Sequence, residues 1–203
     1  MEALACQFPF VHGTIIPMKQ TFTYHITRQD AGKSVEHYLR CRGFSRRLLI
    51  RLRKTENGLC LGADGELPVY TTKLLTEGDL LTVRLPDDAP SEHIVPVRQN
   101  FDIIYEDRDL MVIDKPAGMP VHPSQGHYEN TLANAIAWYF RNEETPFVFR
   151  AVNRLDRDTS GLILLAKNPY SSCILSDAVK DHAIHREYAA IVSGKTADSG
   201  TID

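Results

Sequence analysis

The sequence predicts an α+β protein built from two units. Strand-like and helix-like patterns are mixed along its 203 residues, without the regular strand–helix–strand alternation of a parallel sheet. Residues 89–100 combine prolines with mixed charge and little apolar periodicity, so we interpret them as a linker. The linker separates a small unit at residues 20–88 from a second unit at residues 101–203, and residues 1–19 are expected to be a poorly ordered leader.

Composition favours a cytoplasmic protein without metal or membrane segment. The hydrophobic content of 43% and the charged content of 24% are ordinary for a soluble globular protein. No apolar run approaches the roughly 20 residues that cross a bilayer, and the first residues lack the basic start of a signal peptide. Four widely spaced cysteines, without a C-x-x-C pair, are interpreted as reduced thiols: Cys6, Cys41, Cys60 and Cys173.

Charge is distributed unevenly between the two units. Residues 28–54 contain nine lysines and arginines against two acids, whereas residues 101–203 contain ten basic and fifteen acidic residues. The net charge of −3 therefore conceals one positive segment attached to an acidic body. This asymmetry is typical of a module that docks a polyanion.

In the first unit, a strand at residues 20–26 precedes two helices. The stretch KSVEHYLRCRG has helical spacing and stops at Gly43, and Ser45 is a plausible N-cap for RRLLIRLRK. Two sequence stretches then predict short strands, GLCLGADGELPVY with a hairpin signal at ADGE, and EGDLLTVRL.

The second of these helices is predicted to have an apolar and a basic face. Leucines form one stripe, at Leu48, Leu49 and Leu52. The opposite face carries Arg46, Arg47, Arg51, Arg53 and Lys54. Such a face is either ordinary solvated surface or a docking surface for phosphates.

The second unit is predicted to mix strands and helices around a sheet. Two strands joined by the acidic turn EDRD lead into the Gly/Pro-rich loop AGMPVHPS, in which His122 is expected to form hydrogen bonds. Lys115, just before this loop, is expected to lie at the surface or to anchor the loop. The remaining predicted elements are a helix capped by Asn130 or Thr131, a buried strand at residues 162–166, a helix at 170–182 and a strand in EYAAIVSG.

Residues 152–161, VNRLDRDTSG, crowd two arginines and two aspartates ahead of a buried strand. Three interpretations are open from the residues alone. The stretch could be a charged turn in which Arg154 and Arg157 pair the aspartates. Asp156 and Asp158 could instead bind a metal, although no further hard ligands lie nearby, or they could be the carboxylate pair of a glycoside hydrolase.

The first unit resembles the S4-type RNA-binding domain. The resemblance lies in AGKSVEHYLRCRGFSRRLLIRLRK and the later EGDLLTV, and it covers residues 28–85. It implies that the basic helix lies against the phosphate backbone of structured RNA, which would give affinity with little sequence information. The residues expected to bind RNA are Arg46, Arg47, Arg51 and Lys54. The ADGE turn departs from the Asn-Gly turn often found in such domains.

The second unit resembles the RluA-family RNA pseudouridine synthases. Four stretches agree in order and spacing: LMVIDKPAGMPVHPS, RLDRDTSGLILLAKN, REYAAIVSG and GTID. The resemblance implies a mixed, mainly antiparallel sheet that isomerises uridine without cofactor or metal. Its last motif, with a basic residue expected to pair with the catalytic carboxylate, should follow residue 203, so we expect the catalytic domain to be incomplete.

Site residues follow from this resemblance. Asp156 is expected to be the catalytic aspartate, Arg154 to enter the RNA stack in place of the target uridine, and Tyr188 to lie on a strand against the uracil. Asn153 stands where many members have His, and we expect no proton transfer from it. The expected partner is ribosomal RNA, with transfer RNA as a second option.

Two rival functions remain. An RNA-binding protein without catalysis would dock structured RNA and form no pseudouridine. A carboxylate hydrolase would bind saccharide and ignore RNA.

Overall fold

A computed structural model describes residues 20–63, 65, 67–86, 94–142, 147–195 and 198–200. The predicted leader, the first part of the predicted linker and the last residues of the GTID stretch lie outside the described residues. The described chain forms two antiparallel sheets with helices, one sheet in each predicted unit. The predicted α+β class is confirmed at this level.

The first unit is a four-stranded antiparallel sheet packed against two helices. The strand order is β1-β4-β2-β3. Its elements are β1 (Thr21–His25), α1 (Val35–Arg40), α2 (Arg46–Lys54), β2 (Leu59–Leu61), β3 (Leu67–Pro68) and β4 (Leu80–Arg84). They follow the predicted order, because β-type alternation, turns and helix caps are all encoded locally in this stretch.

Helix α2 begins and packs as its sequence predicts. The Ser45 hydroxyl accepts a hydrogen bond from the Leu48 amide at 3.2 Å, which satisfies one of the free amides of the first turn. Leu48, Leu49 and Leu52 are buried in the core of the unit. The basic side chains are consequently left on the outer face of the helix.

The second unit is a three-stranded antiparallel sheet with two helices. The strand order is β5-β6-β7, and Lys115 at the end of β6 faces Gly161 at the start of β7. The elements are β5 (Asp102–Glu106), β6 (Leu110–Lys115), α3 (Leu132–Tyr139), β7 (Gly161–Ala166) and α4 (Pro169–Lys180). Thr131 is the N-cap of α3, which resolves the two predicted options. Residues 94–100 have no regular structure, and the Asn134 side chain of α3 donates to the Val95 carbonyl at 2.8 Å.

The strand predicted in EYAAIVSG is wrong. Residues 185–195 have no regular secondary structure and are largely exposed. A strand needs a neighbour to receive its backbone hydrogen bonds. Residues 150–152 already use the outer edge of β7, where the Val152 amide donates to the Leu164 carbonyl at 2.8 Å, and within the described residues the segment does not pair with β5 at the other edge of the sheet. Alternation of side chains alone could not reveal this competition.

Helix α4 of the second unit packs directly on the turn that leads into α2. The Tyr170 hydroxyl donates to the Arg42 carbonyl at 2.9 Å. The Tyr170 ring lies 4.5 Å from the Phe44 ring and 4.9 Å from the Phe22 ring, measured between centroids. The Cys173 thiol is 3.2 Å from the hydroxyl of Ser45, the N-cap of α2. These contacts fix the start of the basic helix against the second unit.

Gly43 lets the turn approach α4 closely. Its φ of +85° is in the left-handed region, and a Cβ at this position would collide with the Ile174 side chain. We predict that Gly43→Ala lowers the free energy of unfolding by about 1–2 kcal/mol through backbone strain and by about 0.5–1.5 kcal/mol more because the flexible end of Ile174 must take another rotamer. Gly32→Ala is the matched control, because Gly32 has a φ of +84° and open space around it. In urea denaturation, Gly32→Ala should lower the free energy of unfolding only through backbone strain, by about 1–2 kcal/mol.

Shortening the Ile174 side chain should recover part of the stability that Gly43→Ala loses. In a double-mutant cycle with Ile174→Ala, the coupling energy to Gly43→Ala is expected to be about 0.5–1.5 kcal/mol. Additive effects, or equal losses for Gly43→Ala and Gly32→Ala, would show that α4 does not press on this turn.

Candidate active site

The Asn153 side chain holds the charged stretch at residues 152–161 against the edge of the second sheet. The side-chain oxygen Oδ1 of Asn153 accepts a hydrogen bond from the Leu164 amide at 2.8 Å, and the side-chain Nδ2 donates to the Leu162 carbonyl at 3.0 Å. The side chain thus bonds to β7 as a neighbouring backbone would. This gives the asparagine a positioning role that needs no titration.

The two aspartates of the loop differ in their surroundings. Asp158 accepts two hydrogen bonds of 3.0 Å from Arg157, which lower the pKa of the carboxyl group. Within the described part of the chain, no side chain pairs with the Asp156 carboxylate, and Asp156 is exposed. Its main-chain carbonyl accepts from the Thr159 amide at 3.2 Å, closing a tight turn. The charged-turn interpretation therefore holds for Asp158 and leaves Asp156 available.

The buried Lys115 ammonium joins this loop to the loop that follows β6. Its Nζ donates to the carbonyls of Pro116 and Met119, both at 2.9 Å, and to the carbonyl of Arg157 at 3.0 Å. A lysine ammonium has three protons, and all three are used. The Gly118 amide also donates to the Arg157 carbonyl at 2.9 Å. Of the two expected placements of Lys115, the anchoring one is confirmed and the surface one is wrong, since its exposed fraction is 0%.

The charge of Lys115 is balanced by dipoles more than by a carboxylate. Burial lowers the pKa of Lys115, and the negative charge of Asp158 partly opposes this shift. Three carbonyl oxygens provide the hydrogen bonds that a buried cation requires. The side chain lies opposite Gly161 in the strand register, a position where the neighbouring strand contributes no side chain.

His122, on the loop after β6, packs against Phe149 and lies within electrostatic range of Arg154. The His122 ring meets the Phe149 ring edge to face, with centroids 4.8 Å apart. Desolvation lowers the pKa of His122, and the positive charge of Arg154 lowers it further. Arg154 is exposed. Within the described part of the chain no hydrogen bond of the His122 side chain is seen, and the ring makes an aromatic contact with Phe149 instead.

Tyr188 is not brought to this cluster. Its exposed fraction is 64%, and it lies on the segment that forms no strand. Among the described residues, no hydrogen bond or ring contact joins it to Arg154 or Asp156. Lys115 bonds to the loop that carries Arg154 and Asp156, while the roles expected of Asp156, Arg154 and Tyr188 stay predictions.

The basic face of α2 has the exposure that docking requires. Arg46, Arg47 and Lys54 are exposed and Arg51 is half-buried.

Among the described residues there is no cluster of side chains suited to a metal and no helix that could span a membrane. The described cysteines are free thiols.

The second unit is similar to known proteins. Residues 109–203 match the model of the family described as RNA pseudouridylate synthase. The uncharacterized RNA pseudouridine synthase YjbO of Bacillus subtilis is 35% identical over 171 residues, 84% of this chain and 59% of that protein. Ribosomal large subunit pseudouridine synthase D is 38% identical in Buchnera aphidicola, over 64% of this chain and 42% of that protein. The enzyme of that name from Zymomonas mobilis is 39% identical, over 67% of this chain and 43% of that protein.

Nearly the whole of the second unit, residues 109–203, is thus similar to the RNA pseudouridylate synthase family, in agreement with the resemblance seen in its motifs. The match to the Bacillus protein is longer than the family segment and so continues into the first unit. The chain spans about half the length of the curated relatives it matches.

We predict that Lys115→Met lowers the free energy of unfolding by about 2–4 kcal/mol, because buried carbonyls lose their donor. Methionine is close in length and isolates the loss of the ammonium. Lys180→Met, at an exposed position, is the control and should change stability by less than about 0.5 kcal/mol. Equal effects of the two substitutions in urea denaturation would contradict the anchoring role.

The electrostatic influence of Arg154 on His122 can be tested by titration. The NMR titration midpoint of His122 is expected below the ordinary 6.5, because both desolvation and Arg154 disfavour the protonated ring. Arg154→Gln should raise this pKa, leaving the part due to desolvation. Arg157→Gln removes an arginine that is paired with Asp158 and should leave the midpoint in place. An unchanged pKa of His122 in Arg154→Gln would show that Arg154 does not act on this histidine.

Proposed function

We propose that this protein isomerises uridine to pseudouridine in structured RNA, with Asp156 as the catalytic carboxylate and ribosomal RNA as the substrate. One observation carries the assignment of the carboxylate. Of the two aspartates on the loop, Asp158 is paired with Arg157, whereas Asp156 is exposed and has no side-chain partner within the described residues. The similarity of the second unit to the RNA pseudouridylate synthase family supports the reaction.

The reaction suits a single positioned carboxylate. It breaks the N1–C1′ bond of uridine, rotates the uracil and rejoins it to the sugar through C5. There is no net oxidation and no net hydrolysis, so the chemistry calls for no cofactor. A carboxylate can act as nucleophile or as base in such a sequence. Asp156 supplies this group on a turn that Asn153 and Lys115 hold in place.

The target uridine must leave its stack to reach Asp156, at a cost of a few kcal/mol. We assign Arg154, two residues earlier and exposed, to the vacated space in the RNA. Side chains two positions apart on an extended segment lie on the same side, so filler and carboxylate approach the RNA together. Tyr188 is assigned to stack on the uracil. That role requires the segment around Tyr188 to move towards the loop when RNA binds.

The first unit provides the docking surface. Its S4-like order of elements, its sheet and its exposed basic helix support binding of the phosphate backbone by Arg46, Arg47, Arg51 and Lys54. The names of the Buchnera and Zymomonas relatives refer to the large ribosomal subunit, which favours ribosomal over transfer RNA. We place the protein in the cytoplasm, where ribosomal RNA is available to a bacterial-type modifying enzyme.

Asp156→Asn should reduce pseudouridine formation at least about 10²-fold while leaving RNA affinity within a factor of two. The assay incubates the chain with ribosomal RNA and quantifies pseudouridine by mass spectrometry. Asp158→Asn is the matched control in the same loop and should keep most of the activity. Full activity of Asp156→Asn would remove the catalytic assignment.

A second candidate is RNA binding without isomerisation. The basic face of α2 favours it, because that surface can bind phosphates whatever the state of the active site. RNA binding by the wild-type chain without any pseudouridine would support this candidate. Binding of saccharide with indifference to RNA would instead favour a carboxylate hydrolase.

The docking face makes its own prediction about salt. Removing one cation that neutralises a phosphate should reduce the slope of log Kobs against log[salt] by about 0.9 for duplex nucleic acid. Arg46→Ala and Arg47→Ala are each expected to show this reduction. Arg108→Ala, exposed in the acidic turn of the second unit, is the control and should leave the slope unchanged. An equal reduction in all three would show that binding is diffuse.

A further inference from the structure

We propose that a groove in the first unit binds an unpaired nucleotide of the RNA; this inference rests on the proposed function and adds a second contact site to it. The groove lies between the end of α2 and the β2–β3 strands and has a volume of about 440 Å³. We call it the α2–β3 groove. Clefts of this size are typical of small-ligand sites.

The floor of the α2–β3 groove is apolar and one wall is aromatic. Leu52 and Leu59 are buried beneath it, and Val69 is half-buried beside it. Tyr70 also lines the groove, with 77% of its surface exposed. An exposed tyrosine beside an apolar floor offers a flat surface on which a nucleobase can stack.

The rim of the groove is positively charged. Arg53 and Lys54 line it and are exposed, and among the described residues that line it none is acidic. The neighbouring Glu56 is exposed but does not line the groove. The exposed Asn57 also lines it and has an amide that can donate to or accept from a base edge. Aromatic surface, cations and a side-chain amide together fit a nucleotide, with its base on Tyr70 and its phosphate on the cations.

The position of the groove indicates what shape of RNA would fill it. Arg46 begins α2 and Lys54 ends it, and a helix rises about 1.5 Å per residue, so the two ends are roughly 12 Å apart. The arginines at the start of α2 can hold a duplex backbone while the groove at its end takes a nucleotide that the duplex leaves unpaired. The expected ligand is therefore a helical RNA with a bulged or looped-out nucleotide.

The test compares two RNA hairpins, one fully paired and one with a single bulged nucleotide. The base of the bulged nucleotide is the fluorescent analogue 2-aminopurine. Tyr70→Ala should weaken binding of the bulged hairpin about 5- to 100-fold and leave the fully paired hairpin within twofold. It should also abolish the fluorescence change of the bulged base. Tyr70→Phe keeps the ring and should bind like the wild type. Tyr128→Ala, another exposed tyrosine outside the groove, is the control and should have no effect.

The outcomes distinguish this inference from the proposed function. If Tyr70→Ala binds both hairpins like the wild type, while Arg46→Ala weakens both, the nucleotide site is overturned and the docking function stands. A wild-type chain that binds neither hairpin overturns both. Self-association of the chain that Tyr70→Ala abolishes, measured by sedimentation without RNA, would assign the groove to a second copy and overturn the nucleotide site.

Discussion

The buried ammonium of Lys115 is the interaction on which the candidate active site depends. It lies at the end of β6 and donates to carbonyls on both sides of the site, two on the loop after β6 and one at Arg157. A buried cation is tolerated only where every proton finds an acceptor. The two loops must therefore stay together for the second unit to remain folded. The position of Asp156, one residue before Arg157, is thus tied to the stability of the sheet.

A second constraint relates this site to the basic helix. Helix α4 follows β7 almost directly, and Tyr170 on it bonds to the Arg42 carbonyl at the turn before α2. The chain from the loop around Asp156 through β7 and α4 to the basic helix α2 is therefore one continuous path of packed contacts. The proposed function would benefit from a fixed distance between the basic helix and Asp156. The two units together present such an arrangement.

The local features of this structure could be predicted from sequence and the long-range ones could not. Ser45 as an N-cap and the leucine stripe of α2 depend on neighbours within one or two turns, and both are confirmed. The partners of Lys115 are main-chain carbonyls, one of them 42 residues away, and carbonyls have no residue-type signature. The Tyr170 contact joins residues 128 apart. The strand predicted around Tyr188 is wrong for the same reason, because a strand forms only where a distant part of the chain pairs with it.

Hydrogen exchange at the Gly118 amide tests most directly whether Lys115 joins the two loops, because this amide donates to the same Arg157 carbonyl as Lys115. In the wild type this amide is expected to exchange slowly, close to the rate of the β6–β7 sheet. In Lys115→Met it should exchange much faster, under conditions in which the amides of β6 and β7 remain protected. Fast exchange at Gly118 in the wild type, or an unchanged rate in the variant, would contradict the joining role of Lys115.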